Sequence, residues 1–335
     1  MYYNVTDYGL SGDGTTSNLE PLRALLSSIT DGATIYFPAG VYADILDIRL
    51  DNRANLTFCG DGAASVLRRR PTASGDMLHF HGCNDITFYG LSFDMRSISQ
   101  FGGLVCKDGQ RWRVSRCRFF DSTPLPIGNK DRRAVHFFTE TGAGNSDIWV
   151  TDCLIEGLQL DVHCSRRVQI QNNTLRQGVV TGGLTIVSGI SGAIAEDYHI
   201  SGNLIDSPIG SGIAVLLDPF SNSNCAFRRI AITNNTIVMG PQTKRGIYVG
   251  TTNNSQPSAG NVFEDMTIVD NTIVCTHPAA RDAYIFGNNS ATANIVMDGW
   301  RVANNRIRGN GTGAGIDLRR QTQSLVTNNH VTGAT

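Results

Sequence analysis

Asp161-Val162-His163 sets a carboxyl and an imidazole two residues apart. On an extended strand that spacing turns both side chains to one face. Upstream, His136-Phe-Phe-Thr-Glu140 supplies a second imidazole and a second carboxyl, and Gln159 precedes Asp161 by two residues. Downstream, Asp218 closes the run Ile213-Ala-Val-Leu-Leu-Asp218. Two carboxyls, one protonated and one ionised, suit glycoside hydrolysis, with Asp161 beside Glu140 or Asp218. An imidazole base, His163 or His136, suits proton abstraction next to a carboxylate if a cation holds that carboxylate. Lys107 and Arg319 are the candidate cations. Grouped carboxylates and imidazoles also suit a metal ion, although nothing in the spacing calls for one. Plainer roles exist for each residue: Asp218 precedes Pro219 and can open a turn, Tyr248 serves as a sugar platform or as packing, and Asp317 with Arg319 forms an ion pair.

What brings these residues together is a repeat. Val168-Gln-Ile-Gln-Asn-Asn173 returns as Tyr198-His-Ile-Ser-Gly-Asn203, Ile230-Ala-Ile-Thr-Asn-Asn235, Met266-Thr-Ile-Val-Asp-Asn271, Trp300-Arg-Val-Ala-Asn-Asn305 and the shorter Val326-Thr-Asn-Asn329. Degenerate copies precede them at Leu56, Ile86, Trp112 and Ile148. Each copy is a strand of alternating polarity followed by a tight bend, and self-similarity at a period of about thirty residues marks a solenoid. The bend asparagines are expected to stack as a ladder. Cys59, Cys117 and Cys153 occupy the same bend, and read as free stacked thiols, with disulfides or metal ligation as the alternative.

Before the repeats, Leu19, Leu22, Leu25, Leu26 and Ile29 fall near a helical period, capped by Ser17 or Asn18, with Pro21 in the first turn. A strand at 33–37 and the turn Pro38-Ala-Gly40 follow. Asn4-Val-Thr-Asp-Tyr-Gly-Leu-Ser-Gly-Asp-Gly14, this helix and Ile35-Tyr-Phe-Pro-Ala-Gly-Val-Tyr42 resemble the opening of pectate-lyase-like right-handed parallel β-helix proteins. That superfamily holds polygalacturonase-like hydrolases, polysaccharide lyases, the mannuronan C5-epimerase module and phage tailspikes. The resemblance implies an all-β, single-stranded right-handed parallel β-helix of roughly ten coils. An N-terminal cap would span 1–45 and one continuous helix domain 46–335.

A second strand follows the bend in most coils. With its first residue inward, one outward row reads Val105, His136, Gln159, Thr185, Ala214, Tyr248 and Asp317. The next reads Lys107, Phe138, Asp161, Val187, Leu216, Gly250 and Arg319. The chemistry-bearing residues thus gather on one face, with Asp161, His163, Glu140 and Asp218 as catalytic candidates. His136, Gln159, Lys107, Tyr248 and Arg319 are the substrate-binding candidates. Asp161-Val-His163 resembles the Asp-Pro-His-Glu motif of the mannuronan epimerase module, with Val162 for Pro, Cys164 for Glu, and Leu158 where that motif has Tyr. Polygalacturonase signatures are missing.

The resemblance implies a carbohydrate-active enzyme, a glycoside hydrolase or polysaccharide lyase, whose partner is a polysaccharide or oligosaccharide. The alternative is a tailspike or attachment domain that binds a surface glycan without catalysis, and a purely structural adhesin is a third reading. Phe138, Val187 and Leu216 form an outward apolar stripe of the kind a homotrimer would bury. No cofactor is expected, though a calcium ion is compatible with the acidic groups. Lys and Arg number 28 against 29 Asp and Glu, which argues against nucleic-acid or membrane partners. No apolar run reaches the length of a membrane span. The first residues lack a signal peptide's basic start and apolar core, so a secreted or virion-associated location is expected without one. Arg166-Arg167, Arg228-Arg229 and Lys244-Arg245 precede equivalent strands. They read as an ion-pair ladder with Glu196, Asp197, Glu264 and Asp265 rather than a free basic ridge.

Overall fold

The computed structural model describes residues 1–334 except 72–74, 97–100, 124–131, 141–143, 178–181, 218–222, 252–259, 276, 278–281, 289–294 and 311–312. Its strands form three all-parallel sheets of 14, 12 and 10 strands, and each sheet takes one strand from successive coils. The third sheet has ten strands, so ten coils carry all three, as the repeat predicts.

Inward positions build the core. Leu56, Ile86, Trp112, Ile148, Val168, Tyr198 and Ile230 stand in register down the first sheet and are almost fully buried. Each large apolar side chain so buried contributes roughly 1.5–3 kcal/mol. The bend after each strand needs a left-handed residue, and Asp152, Asn172, Asn234, Asp270 and Asn304 supply it at φ 55–59°. Asn and Asp tolerate that region because their short side chains bond locally.

The following residue makes the ladder. The amides of Asn173, Asn203, Asn235 and Asn271 each donate a backbone N–H to the side-chain oxygen of the asparagine one coil on. Their side-chain nitrogens donate to carbonyls of the preceding coil. Cys153 tops the ladder, its N–H donating to Asn173 Oδ1 at 2.9 Å. All eight cysteines are free, and burial pushes the thiols of Cys106 and Cys164 well above the ordinary range.

The helix spans Leu19–Ser28 and buries Leu22, Leu25 and Leu26 against the first coils. Asn18 sits at its N-cap, but its side chain accepts from Ser11 N and donates to Ser11 O, stitching the preceding segment instead of the helix end. The charged pairs form the expected ladder: Arg166–Glu196, Arg228–Glu264 and Arg229–Asp197. Among the described residues no helix is long and apolar enough to cross a membrane.

Candidate active site

The third sheet carries the candidate residues on its outer face. Strands Arg132–Phe138 and Gln159–His163 are hydrogen-bonded neighbours, and Gly182–Val187 follows. The register pairs His136 with Asp161 and Asp161 with Thr185, while His163 pairs with Val187. Sequence alignment of the coils had set Gln159 beside His136 and Asp161 beside Phe138, two residues out. A bulge between Arg133 and Val135 sets Gln159 opposite Arg133. The corrected row reads His79, Val105, His136, Asp161 and Thr185.

Asp161 is the centre. It is 2% exposed. Arg133 Nε lies 2.6 Å from Oδ2, and Thr185 Oγ1 donates to Oδ1 at 2.7 Å. Gln159 Nε2 in turn donates to Thr185 Oγ1. His136 Nε2 from the preceding coil and His163 Nε2 from the same strand each approach Oδ2 to 3.6 Å. Burial by itself raises the Asp161 pKa, but His163, His136 and Arg133 outweigh it and hold the carboxyl far below the usual range. Asp161 is therefore a fixed carboxylate. For His136, burial dominates and pushes the imidazole well below its ordinary pKa, only partly offset by Asp161. His136 is neutral.

The two imidazoles meet at 4.7 Å between centroids, and Phe138 packs on His163 at 4.9 Å. Gly189 is required beside His163, because a Cβ there would fall 2.6 Å from Nδ1. Beyond Phe138, Lys107 lies 5.6 Å over the ring and pairs with Glu140. That hydrogen bond holds the exposed Glu140 below the usual carboxylate range. Glu140 lies just past its strand, where its N–H donates to Asp108.

The remaining candidates lie elsewhere or outside the described residues. Tyr248 is three strands beyond Asp161, roughly 14 Å along the axis. It is 3% exposed, stacked on Phe286 and covered by Arg245, so almost none of its ring reaches the surface. Arg319 stacks over Phe286 and pairs with Asp317, five coils away. Asp218 falls outside the described residues. Within the apolar stripe, Leu216 is 5% exposed and packs with Ala214, Tyr248 and Phe286, with Val187 against them.

Sequence reasoning missed Arg133 as the partner of Asp161, because the bulge that delivers it leaves no pattern. It also missed His79 and His81, although Leu78-His-Phe-His81 alternates as an outward pair should. Among the described residues two groups have metal-ligand composition, His136 with Asp161 and His163, and His81 with Asp108 and Glu140. In each a cation already sits on a carboxylate: Arg133 in the first, Lys107 in the second.

Comparison with known proteins extends these findings. Residues 2–158 match a family described as rhamnogalacturonase A/epimerase, pectate lyase-like. A probable rhamnogalacturonase B of Neosartorya fischeri is 24% identical over 176 residues, 47% of this chain and 34% of that protein. Alginate lyase 7 of Azotobacter vinelandii is 27% identical over 109 residues, 27% of this chain and 13% of that protein. The chain thus spans about a third or less of these curated relatives. Among solved structures, the N-terminal fragment of bacteriophage phi29 gene product 12 is 15% identical, with a TM-score of 0.59. The similarity covers 98% of this chain and 66% of that one. The fold is the right-handed parallel β-helix. The site described above lies on the sheet where its coils align Asp161 with His136 and Thr185.

Proposed function

We propose that the chain modifies an acidic polysaccharide on the outer face of the third sheet, by abstracting the proton next to a uronate carboxylate. The observation that carries this reading is the imidazole of His163 set beside a carboxylate that is fixed in its ionised form. His163 is the base, and Asp161 orients the ring and stabilises the imidazolium that forms. Removing the C5 proton builds negative charge on the uronate carboxyl, and Lys107, which pairs with Glu140 two strands from His163, is the cation assigned to meet it. Expulsion of the glycosidic oxygen at C4, which leaves as the alcohol by taking a proton from the His163 imidazolium or water, then gives an unsaturated sugar. Return of a proton from water to the opposite face, with the His163 imidazolium losing its own proton to solvent, gives the epimer. The similarity to an alginate lyase and to a family described with the words epimerase and pectate lyase-like supports the same chemistry.

Hydrolysis is less well supported, although a rhamnogalacturonase is among the relatives. It needs one carboxyl kept protonated near neutrality, and both Asp161 and Glu140 are held the other way. Glycan attachment without catalysis is the second reading. The 2% exposure of Asp161 and its ion pair with Arg133 favour it, since a carboxylate so occupied also serves as a structural knot.

A panel of uronate polymers and neutral glucans decides between them. Ultraviolet absorbance of an unsaturated product, or inverted uronate residues without cleavage, is expected from a uronate polymer. New reducing ends without that absorbance would mean hydrolysis and overturn the reading. Binding with no product would leave the attachment role.

A further inference from the structure

A second face carries its own ligand-type cluster. On the outer side of the first sheet, Thr87, Arg113 and Trp149 stand in one row across neighbouring strands, with Tyr89, Ser115 and Thr151 in the next. Arg113, Ser115, Trp149 and Thr151 line a depression of about 450 Å³. The guanidinium of Arg113 lies 4.8 Å over the Trp149 ring, and Arg116 donates to the Tyr89 hydroxyl at 2.9 Å.

Charge sets this patch apart from the rest of the sheet's edge. Arg111, Arg166, Arg167, Arg228 and Arg229 all hold carboxylates within 3.3 Å. Arg113 and Arg116 form no ion pair among the described residues. Asp85, a carboxylate that Arg113 influences, is already held by Arg111 through two hydrogen bonds. Arg113 is exposed, Tyr89 is 41% exposed and Trp149 is partly so. Of the three tryptophans, Trp112 and Trp300 are fully buried in the core, so Trp149 is the one spent on the surface.

The chemistry is that of sugar recognition. Aromatic rings offer flat apolar faces for the C–H side of a pyranose, and hydroxyls beside them bond its oxygens. Tyr89 and Trp149 are two strand spacings apart along the axis, about 10 Å, the reach of a disaccharide. The two cations between and beside them match a carboxylate on that disaccharide.

We infer that the Tyr89–Arg113–Trp149 face is a second binding site for an acidic glycan chain, separate from the Asp161 site and on another sheet. The ligand class is taken from the proposed function, but binding here needs no turnover.

Acrylamide quenching of tryptophan fluorescence reads Trp149 selectively, because the other two tryptophans are shielded. Polygalacturonate and alginate are expected to protect it, and dextran is not. Arg113→Gln, on an exposed side chain, is expected to weaken the protection about threefold to tenfold in apparent Kd. Asp161→Asn is expected to leave it unchanged while abolishing turnover, which separates this site from the catalytic one. No protection by either uronate polymer would overturn the inference. So would equal protection by dextran, an unchanged Kd in Arg113→Gln, or loss of protection in Asp161→Asn.

Discussion

Protonating His136 inside the folded chain would place a charge beside Arg133 with little water to solvate it. The unfolded chain has no such obstacle and takes the proton below about pH 6.5. The unfolded state then binds more protons than the native one, so stability rises with pH through this range. Below about pH 6.5, His136 should make folding progressively less favourable as the pH falls. Urea unfolding at about pH 7.5 and about pH 5.5 tests this: the wild type should lose more stability on acidification than His136→Gln. Equal losses would show that the imidazole is solvated. Asp161 behaves oppositely in range. Its depressed pKa gives stability that is fully present above the unfolded carboxyl range of about 4 and is lost progressively as the pH falls below it. Asp161 and His163 were legible in the sequence because a two-residue spacing on a strand has one geometric meaning. Arg133 was not, since its approach depends on a bulge.

At the scale of the element, the asparagine ladder is where the scaffold is most specified. Asn235 is fully buried; it accepts from Asn203 and donates to Ile200 O and Asn271 Oδ1. Asn235→Ala would leave a buried N–H and a buried carbonyl unpaired, at about 3 kcal/mol together. Chemical unfolding should show that loss, against a smaller one for Asn329→Ala at the half-buried end of the ladder. Comparable effects at both positions would mean that the ladder is decorative. The strands were readable from alternation, but their register was not. Leu158, Leu160 and Val162 are all fully buried apolar residues, so a slip of two leaves the pattern intact. Only the hydrogen-bonded partners distinguish the alternatives, and those place Leu160 opposite Val135.

Across the whole molecule the third sheet is polarised. Toward the N-terminal end its outer rows hold Arg49, His79, His81, Lys107, His136 and His163. Toward the other end the same rows hold Ala214, Leu216, Tyr248 and Phe286, packed into a small apolar cluster. An acidic chain is therefore expected to lie over the N-terminal coils, with Asp161 and His163 at the boundary. The repeat made this architecture legible. Where the polarity changes along the axis was not, because Tyr248 and Arg319 carry sugar-binding side chains but spend them on Phe286 and Arg245. Lyase and epimerase chemistry share one event, transfer of the C5 proton, which hydrolysis and simple attachment do not have. Release of tritium to water from a uronate polymer labelled at C5 is therefore the most direct measurement. The wild type should release it, and His163→Ala and Asp161→Asn should each do so at least about 100-fold more slowly. Release by both variants at the wild-type rate, or hydrolysis by the wild type with the label retained, would contradict a proton-abstracting site at His163.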